Sequence, residues 1–224
     1  SESSQAYRPR KIENVIAELR CELKKRKPRW IQIVDDTFTA DVRRCRQIMT
    51  VLQDSYGGPW SCEVTAHSIC RNPSLASEMA AAGLKRTQIG IESMNDETLR
   101  LYQKNTTSEK THQAIHALME AGVSCVFGNY IVGAPGESRQ LVQHNIETAR
   151  KLIRAYPGRI ELAASILSYN PGAPLFHEPE KFHLGLSEES ILRSMDLWSP
   201  VSATDKLSID DIVELHTEFS TAIS

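Results

Sequence analysis

Five short polar clusters in this 224-residue chain carry side chains suited to chemistry. They are Asp35-Asp36-Thr37, His67, Glu92-Ser93, Gly133-Ala134-Pro135-Gly136-Glu137 and Ser168-Tyr169-Asn170. Each follows directly on a short apolar run of strand length. The groups are hydrogen-bond acceptors and hydroxyls, with few fixed cations. Such a set suits a ligand that presents an ammonium group, ribose hydroxyls and a base edge. It suits a polyphosphate less well, because phosphates are held by cations and glycine-rich loops. Every cluster also has a local reading. Asp35 and Asp36 fit an Asx turn before a helix. Ser93 with Asp96 resembles a capping box. Glu137 falls in the first turn of a helix, where the helix dipole favours an acid. Gly133 and Gly136 flank Pro135, as a tight turn alone would require. His67 also fits an ordinary loop or core histidine.

The elements that must position these groups are legible from apolar periodicity. Ile12, Val15, Ile16, Leu19 and Leu23 recur at helical spacing, which predicts an amphipathic helix over about 11–26. Lys24-Lys25-Arg26-Lys27 then leads to Pro28, a fitting stop. Strands are predicted at 30–34, 60–66, 85–91, 124–132 and 160–167. Between them lie helices at 41–54, 74–82, from Asp96, 109–121 and 138–156. Two more are predicted near 187–196 and 208–222, the second with Ser208 and Asp211 at its start. Strands joined by helices imply parallel neighbours and right-handed crossovers, hence an α/β fold. The choice lies between a doubly wound open sheet and a (β/α) barrel. In both, ligands gather at the carboxyl ends of the strands, which is where the five clusters fall. No G-x-G-x-x-G opens a helix, which weakens the dinucleotide-binding version.

Composition bounds the function. The chain is 41% hydrophobic and 24% charged with a formal net charge of −2, an ordinary globular balance without a general nucleic-acid footprint. No apolar run is long enough to span a bilayer. The polar, basic start lacks an apolar signal region, so a cytoplasmic protein is expected. The five cysteines, Cys21, Cys45, Cys62, Cys70 and Cys125, are odd in number and widely spaced. Neither a disulfide framework nor a local zinc or iron–sulfur run follows from that spacing. Cys62 and Cys125, both on predicted strands, read as small core residues.

Taken together, IQIVDDTF at 31–38, QIGIES at 88–93, the segment from Lys104, NYIVGAPGE at 129–137 and LSYNPGAPLF at 167–176 resemble the radical S-adenosylmethionine (SAM) enzymes. Within that superfamily the resemblance is to the subgroup that includes cobalamin-binding members and methylthiotransferases. It covers about residues 8–178. It implies a partial (β/α)6 TIM-like barrel over 1–180, with strands two to six present, followed by a C-terminal helical extension over 181–224. By that resemblance Asp35 and Asp36 meet the SAM amino group. Glu92 and Ser93 meet the ribose or the methionine moiety. Gly133 lies in a segment near adenine, with Asn129 at that segment's first position in place of glycine, and Ser168 and Tyr169 flank adenine.

The resemblance also implies a 4Fe-4S cluster held by a C-x3-C-x2-C loop after the family's first strand. This sequence contains no such loop. The expectation is therefore a fragment whose cluster ligands lie upstream, inactive by itself, with no catalytic residue assignable within it. The parent enzyme would generate a 5′-deoxyadenosyl radical for a modification such as methylation or thiolation of a small molecule, peptide or RNA. It would take electrons from a reductant such as flavodoxin or ferredoxin. Cobalamin would enter through an upstream domain. A sheet without its first strand also exposes an edge, so self-association is expected. Two other readings stand beside this one. One is a different α/β-barrel enzyme using Asp35, Glu92 and Glu137 in acid/base chemistry; the other is a non-catalytic interaction domain.

Overall fold

The computed structural model describes residues 8–102, 104–168, 177–182, 184 and 202–224. The turn expected at 169–172 and the helix expected near 187–196 lie outside the described residues. The order is α1 (Ile12–Arg26), β1 (Ile31–Gln32), a 3-10 turn (Phe38–Ala40), α2 (Val42–Ser55), β2 (Trp60–Val64), α3 (Ala66–Arg71), α4 (Leu75–Ala81) and β3 (Leu84–Glu92). Then come α5 (Asp96–Leu101), α6 (Ser108–Glu120), β4 (Cys125–Val132), α7 (Arg139–Ala155), β5 (Ile160–Ile166), a 3-10 turn (Pro179–Phe182) and α8 (Ile209–Ile223). Two details differ from the periodicity. The first strand shrinks to two ladder residues. Helix α3 forms where a strand end and loop were expected, because the Thr65 side chain accepts from Ser68 N and starts a helix too short to show a period.

All strand pairs are parallel, and the sheet order is β1-β2-β3-β4-β5, the order of the chain. That order resolves the choice the periodicity left open, in favour of the barrel that the resemblance implies. Right-handed crossovers that always step the same way place their helices on one side of the sheet, and the sheet curls toward the other. A doubly wound sheet reverses direction and has helices on both faces. Burial agrees with the single-sided solution. Strand β4 alternates strictly: Val126, Gly128, Tyr130 and Val132 are buried, whereas Phe127, Asn129 and Ile131 are half-exposed. Register pairs Glu63 with Gln88, Gln88 with Phe127 and Asn129 with Ala163, so these residues share one concave face. The molecule is an arc of a (β/α) barrel whose inner face is polar and open.

The opposite face is the core. Trp60, Ile89, Val126 and Tyr130 pack there with Leu52, Leu75, Leu118 and Ile146 from the helices. Helix α8 belongs to the same core. Phe219 lies 4.9 Å from Tyr130 between ring centroids, and Ile212 sits under Gly133. Its start carries a complete capping box between Ser208 and Asp211, and Arg139 of α7 bridges to Asp211 at 2.5 Å and Glu214 at 2.9 Å. On the concave face, Arg86 of β3 reaches across β4 to Glu161 of β5 at 2.7 Å, with its guanidinium 5.5 Å from the Phe127 ring centroid. The outer edge of β1 has no strand partner among the described residues. No helix of the described residues is long and apolar enough to cross a membrane.

Candidate functional site

The carboxyl ends of β1, β2 and β3 and the loop after α5 enclose a cavity of about 320 Å3. That volume falls at the lower end for small-molecule sites. Asp36 and Thr37 come from the end of β1, Glu63, Thr65 and His67 from β2 and its turn into α3, Gln88 and Glu92 from β3, and Lys104 and Thr106 from the loop. Its charged groups are the acids Asp36, Glu63 and Glu92 against Lys104, with His67 beside them and the rest of the lining neutral. Lys104 Nζ donates to Glu92 Oε1 at 2.7 Å, so one zwitterionic pair closes one wall.

The backbone at Glu92 is unusual. Its φ is +60°, rare for a residue with a side chain, and Ser93 N–H closes on Ile91 O at 2.7 Å across it. The register also slips between Gly90 and Glu92. Such a conformation stores about 1–3 kcal/mol and persists only where its surroundings over-determine it. Here the result is a carboxylate folded back over β3: a Cβ added at Gly90 would lie 2.5 Å from Glu92 Oε1. The bare α-carbon of Gly90 thus leaves room for the Glu92 carboxylate over the strand end.

The expected site residues do not all meet in one place. Asp36 and Glu92 line the cavity; Asp35, beside Asp36, faces a larger groove of about 710 Å3 along β1, α1 and α2. Ser93 is fully buried and turned away from the cavity: Asn145 Nδ2 of α7 donates to its Oγ at 3.2 Å, and Asn95 N–H donates to the same oxygen at 3.1 Å. Asn129 lies further round the concave face and accepts from Ser165 Oγ at 3.0 Å. Ser168 is half-buried just past β5, and Tyr169 lies outside the described residues.

The turn after β4 has its own logic. Gly133 has φ +92°, and its N–H and that of Ala134 donate to Glu137 Oε2 at 2.8 and 3.2 Å. Glu137 is fully buried, and its other oxygen has no partner among the described residues. Burial pushes this carboxyl up to about 7, against the opposing pull of the two N–H groups. Glu137 therefore acts on the turn, clamping the backbone behind β4, and does not line the cavity that holds Glu92. Sequence reading missed Glu63 and Asn145, and met Gln88 and Lys104 only as parts of motifs. The one local signal was glycine two residues before Glu92.

The residues present do not form an iron–sulfur site. No cluster of three or more potential metal ligands occurs among the described residues. Cys45 and Cys62 are buried in the core, where desolvation raises both thiols, Cys45 to about 12, so neither offers a thiolate. Cys125 is half-buried on the concave face beside Glu161.

A parallel (β/α) arc with polar groups and a strained carboxylate at the strands' carboxyl ends defines a protein of the (β/α)-barrel class. The family model described as the Radical SAM superfamily matches residues 2–149, and the chain belongs to that superfamily. An uncharacterized methyltransferase of Pyrococcus horikoshii is 27% identical over 147 residues, which are 65% of this chain and 31% of that protein. The chain thus spans about a third of that relative's length. Solved structures share the fold. TsrM, a radical SAM methyltransferase from Kitasatospora setae bound to cobalamin and a [4Fe-4S] cluster, aligns with TM-score 0.62 at 16% identity, covering 75% of this chain and 33% of that one. Coproporphyrinogen III oxidase (HemN) of Escherichia coli aligns with TM-score 0.60 at 14% identity over 94% of this chain and 46% of that chain. The cobalamin-dependent SAM radical enzyme OxsB aligns with TM-score 0.56 at 20% identity over 63% of this chain and 22% of that chain.

Proposed function

We propose that this chain is the SAM-binding barrel segment of a cytoplasmic radical SAM enzyme, with a methyl-transfer type of modification as the outcome of the whole protein. The observation that carries the reading is the Lys104–Glu92 pair in a cavity whose other charged groups are the acids Asp36 and Glu63. An amino acid end carries an ammonium and a carboxylate. Lys104 matches the carboxylate, and Glu92 with Asp36 matches the ammonium. Exchanging one internal ion pair for two intermolecular ones leaves neither Lys104 nor Glu92 without a counter-charge in the partly dehydrated cavity. Gln88, Thr65 and Thr106 supply neutral donors and acceptors for ribose hydroxyls. Asn129 and Ser168, further round the rim, stand nearer the adenine side.

When bound together with a [4Fe-4S] cluster, SAM would supply reductive cleavage to a 5′-deoxyadenosyl radical. The protein's own part is to fix the amino acid end, orient the ribose and keep water out. The cluster thiolates are not gathered among the described residues, so we assign the cluster, any cobalamin and the docking of a reductant such as flavodoxin or ferredoxin to other parts of a longer protein. Titrating this chain with S-adenosylmethionine by calorimetry tests the reading. Saturable binding is expected, weakened at least tenfold by Lys104→Met. Methylthioadenosine, which lacks the amino acid end, is expected to bind both proteins alike. No binding at millimolar S-adenosylmethionine, or equal loss for both ligands, would overturn it.

A further inference from the structure

Helix α7 carries one amide among its core-facing residues. Asn145 is fully buried, flanked on its helix face by Val142, Ile146 and Ala149. A buried amide is retained only if its donors and acceptors are used. Its Oδ1 accepts from Met94 N–H at 2.8 Å, and its Nδ2 donates to Ser93 Oγ at 3.2 Å. Ser93 Oγ in turn accepts Asn95 N–H at 3.1 Å, one residue before α5 begins. All of these bonds converge on residues 93–95, immediately after the left-handed residue Glu92.

We propose that Asn145 is the positioning residue for Glu92, and that it sets how tightly the amino acid end of the ligand is held; this rests on the reading of the Lys104–Glu92 cavity given above. The reason is geometric. The turn at Glu92 is closed by one hydrogen bond, Ser93 N–H to Ile91 O, and its conformation is intrinsically unfavourable. Something outside β3 must hold it. The contacts from α7 do so on the side opposite the cavity: they fix Ser93 and Met94, so the chain cannot relax back into regular strand. A relaxed strand would carry the Glu92 carboxylate away from its place over Gly90 and beyond the reach of Lys104. Asn145 touches neither the cavity nor Lys104, so its influence on the ligand passes through Glu92.

The test compares Asn145→Leu and the milder Ser93→Ala with Val142→Ala, a cavity variant on the same helix face. Two measurements are made. The three-bond amide–Hα coupling of Glu92 reports its φ without any ligand. It is expected to change in both turn variants and to stay unchanged in Val142→Ala. Calorimetry is expected to show weaker S-adenosylmethionine binding by about tenfold in the turn variants, with methylthioadenosine unaffected. Adding Glu92→Gln to Ser93→Ala is expected to cause no further loss, because both act on one contact. A Glu92 coupling that is the same in all proteins would overturn the assignment, as would equal effects on the two ligands or additive losses. If the wild-type chain binds no S-adenosylmethionine, the functional reading fails, and the coupling alone decides the role of Asn145.

Discussion

Glu137→Gln separates the structural work of this carboxyl from its charge. In the folded protein burial raises it from an ordinary value of 4.5 to about 7. In the unfolded chain it titrates near the ordinary value. That displacement corresponds to about 3 kcal/mol of stability. The sign follows from which state holds the proton more tightly. The folded state does, so the contribution is fully present below about pH 4.5 and is lost as pH rises through 7. Above pH 8 it stays lost, because both states are then ionised. Glutamine keeps an oxygen for the N–H groups of Gly133 and Ala134 and cannot ionise. Urea unfolding, followed by circular dichroism at several values between pH 4.5 and 8, measures the effect. The variant is expected to gain on the wild type by about 3 kcal/mol across that range, with unchanged dependence on urea. Parallel stability curves for the two proteins would refute the reasoning, because they would mean that Glu137 ionises at the same pH folded and unfolded.

Other outcomes follow from the same geometry. Gly90→Ala places a methyl group on the Glu92 carboxylate; since the obstructed atom ends a flexible side chain, the melting temperature is expected to hold while S-adenosylmethionine binding falls, measured by scanning fluorimetry and calorimetry. Ser208→Ala breaks the capping box of α8 and is expected to destabilise the chain by about 1 kcal/mol in urea unfolding. Lys104→Met leaves the buried Glu92 carboxylate without its cation and is expected to destabilise the chain by about 1–3 kcal/mol in urea unfolding, as well as lowering affinity for the amino acid end of the ligand. The edge of β1, without a strand partner among the described residues, is expected to drive association that grows with concentration, and light scattering that shows a monomer throughout would exclude it.

Much of the fold was legible because it is local. The helix α1 follows from five apolar residues at helical spacing and a basic end before Pro28, and β4 follows from its strand-length apolar run. These patterns follow from the helix and strand repeats, which any sequence of this kind must obey. Helix α3 was not legible, since six residues begun by a threonine cap show no period. Periodicity left the barrel as one of two α/β solutions; the resemblance to the radical SAM enzymes already implied it, and the sheet order, with all crossovers in one direction, agrees.

The candidate site divides in the same way. The chain order alone placed acidic and hydroxyl residues at the ends of strands, because a strand that runs into a loop delivers its next residues to the rim. It could not say which of two adjacent residues faces the ligand. Glu92 and Ser93 stood as neighbouring candidates at one strand end; the positive φ turns one into the cavity, and Asn145, 52 residues further along, draws the other into the core. Lys104 meets Glu92 only because the loop after α5 returns over the end of β3. Glu137 was as good a candidate acid as Glu92 until packing buried it against its own turn. Residue type and spacing act over a few residues and fix which groups reach the rim. Orientation, burial and charge pairing depend on segments distant in sequence, so they arise only when the chain closes on itself.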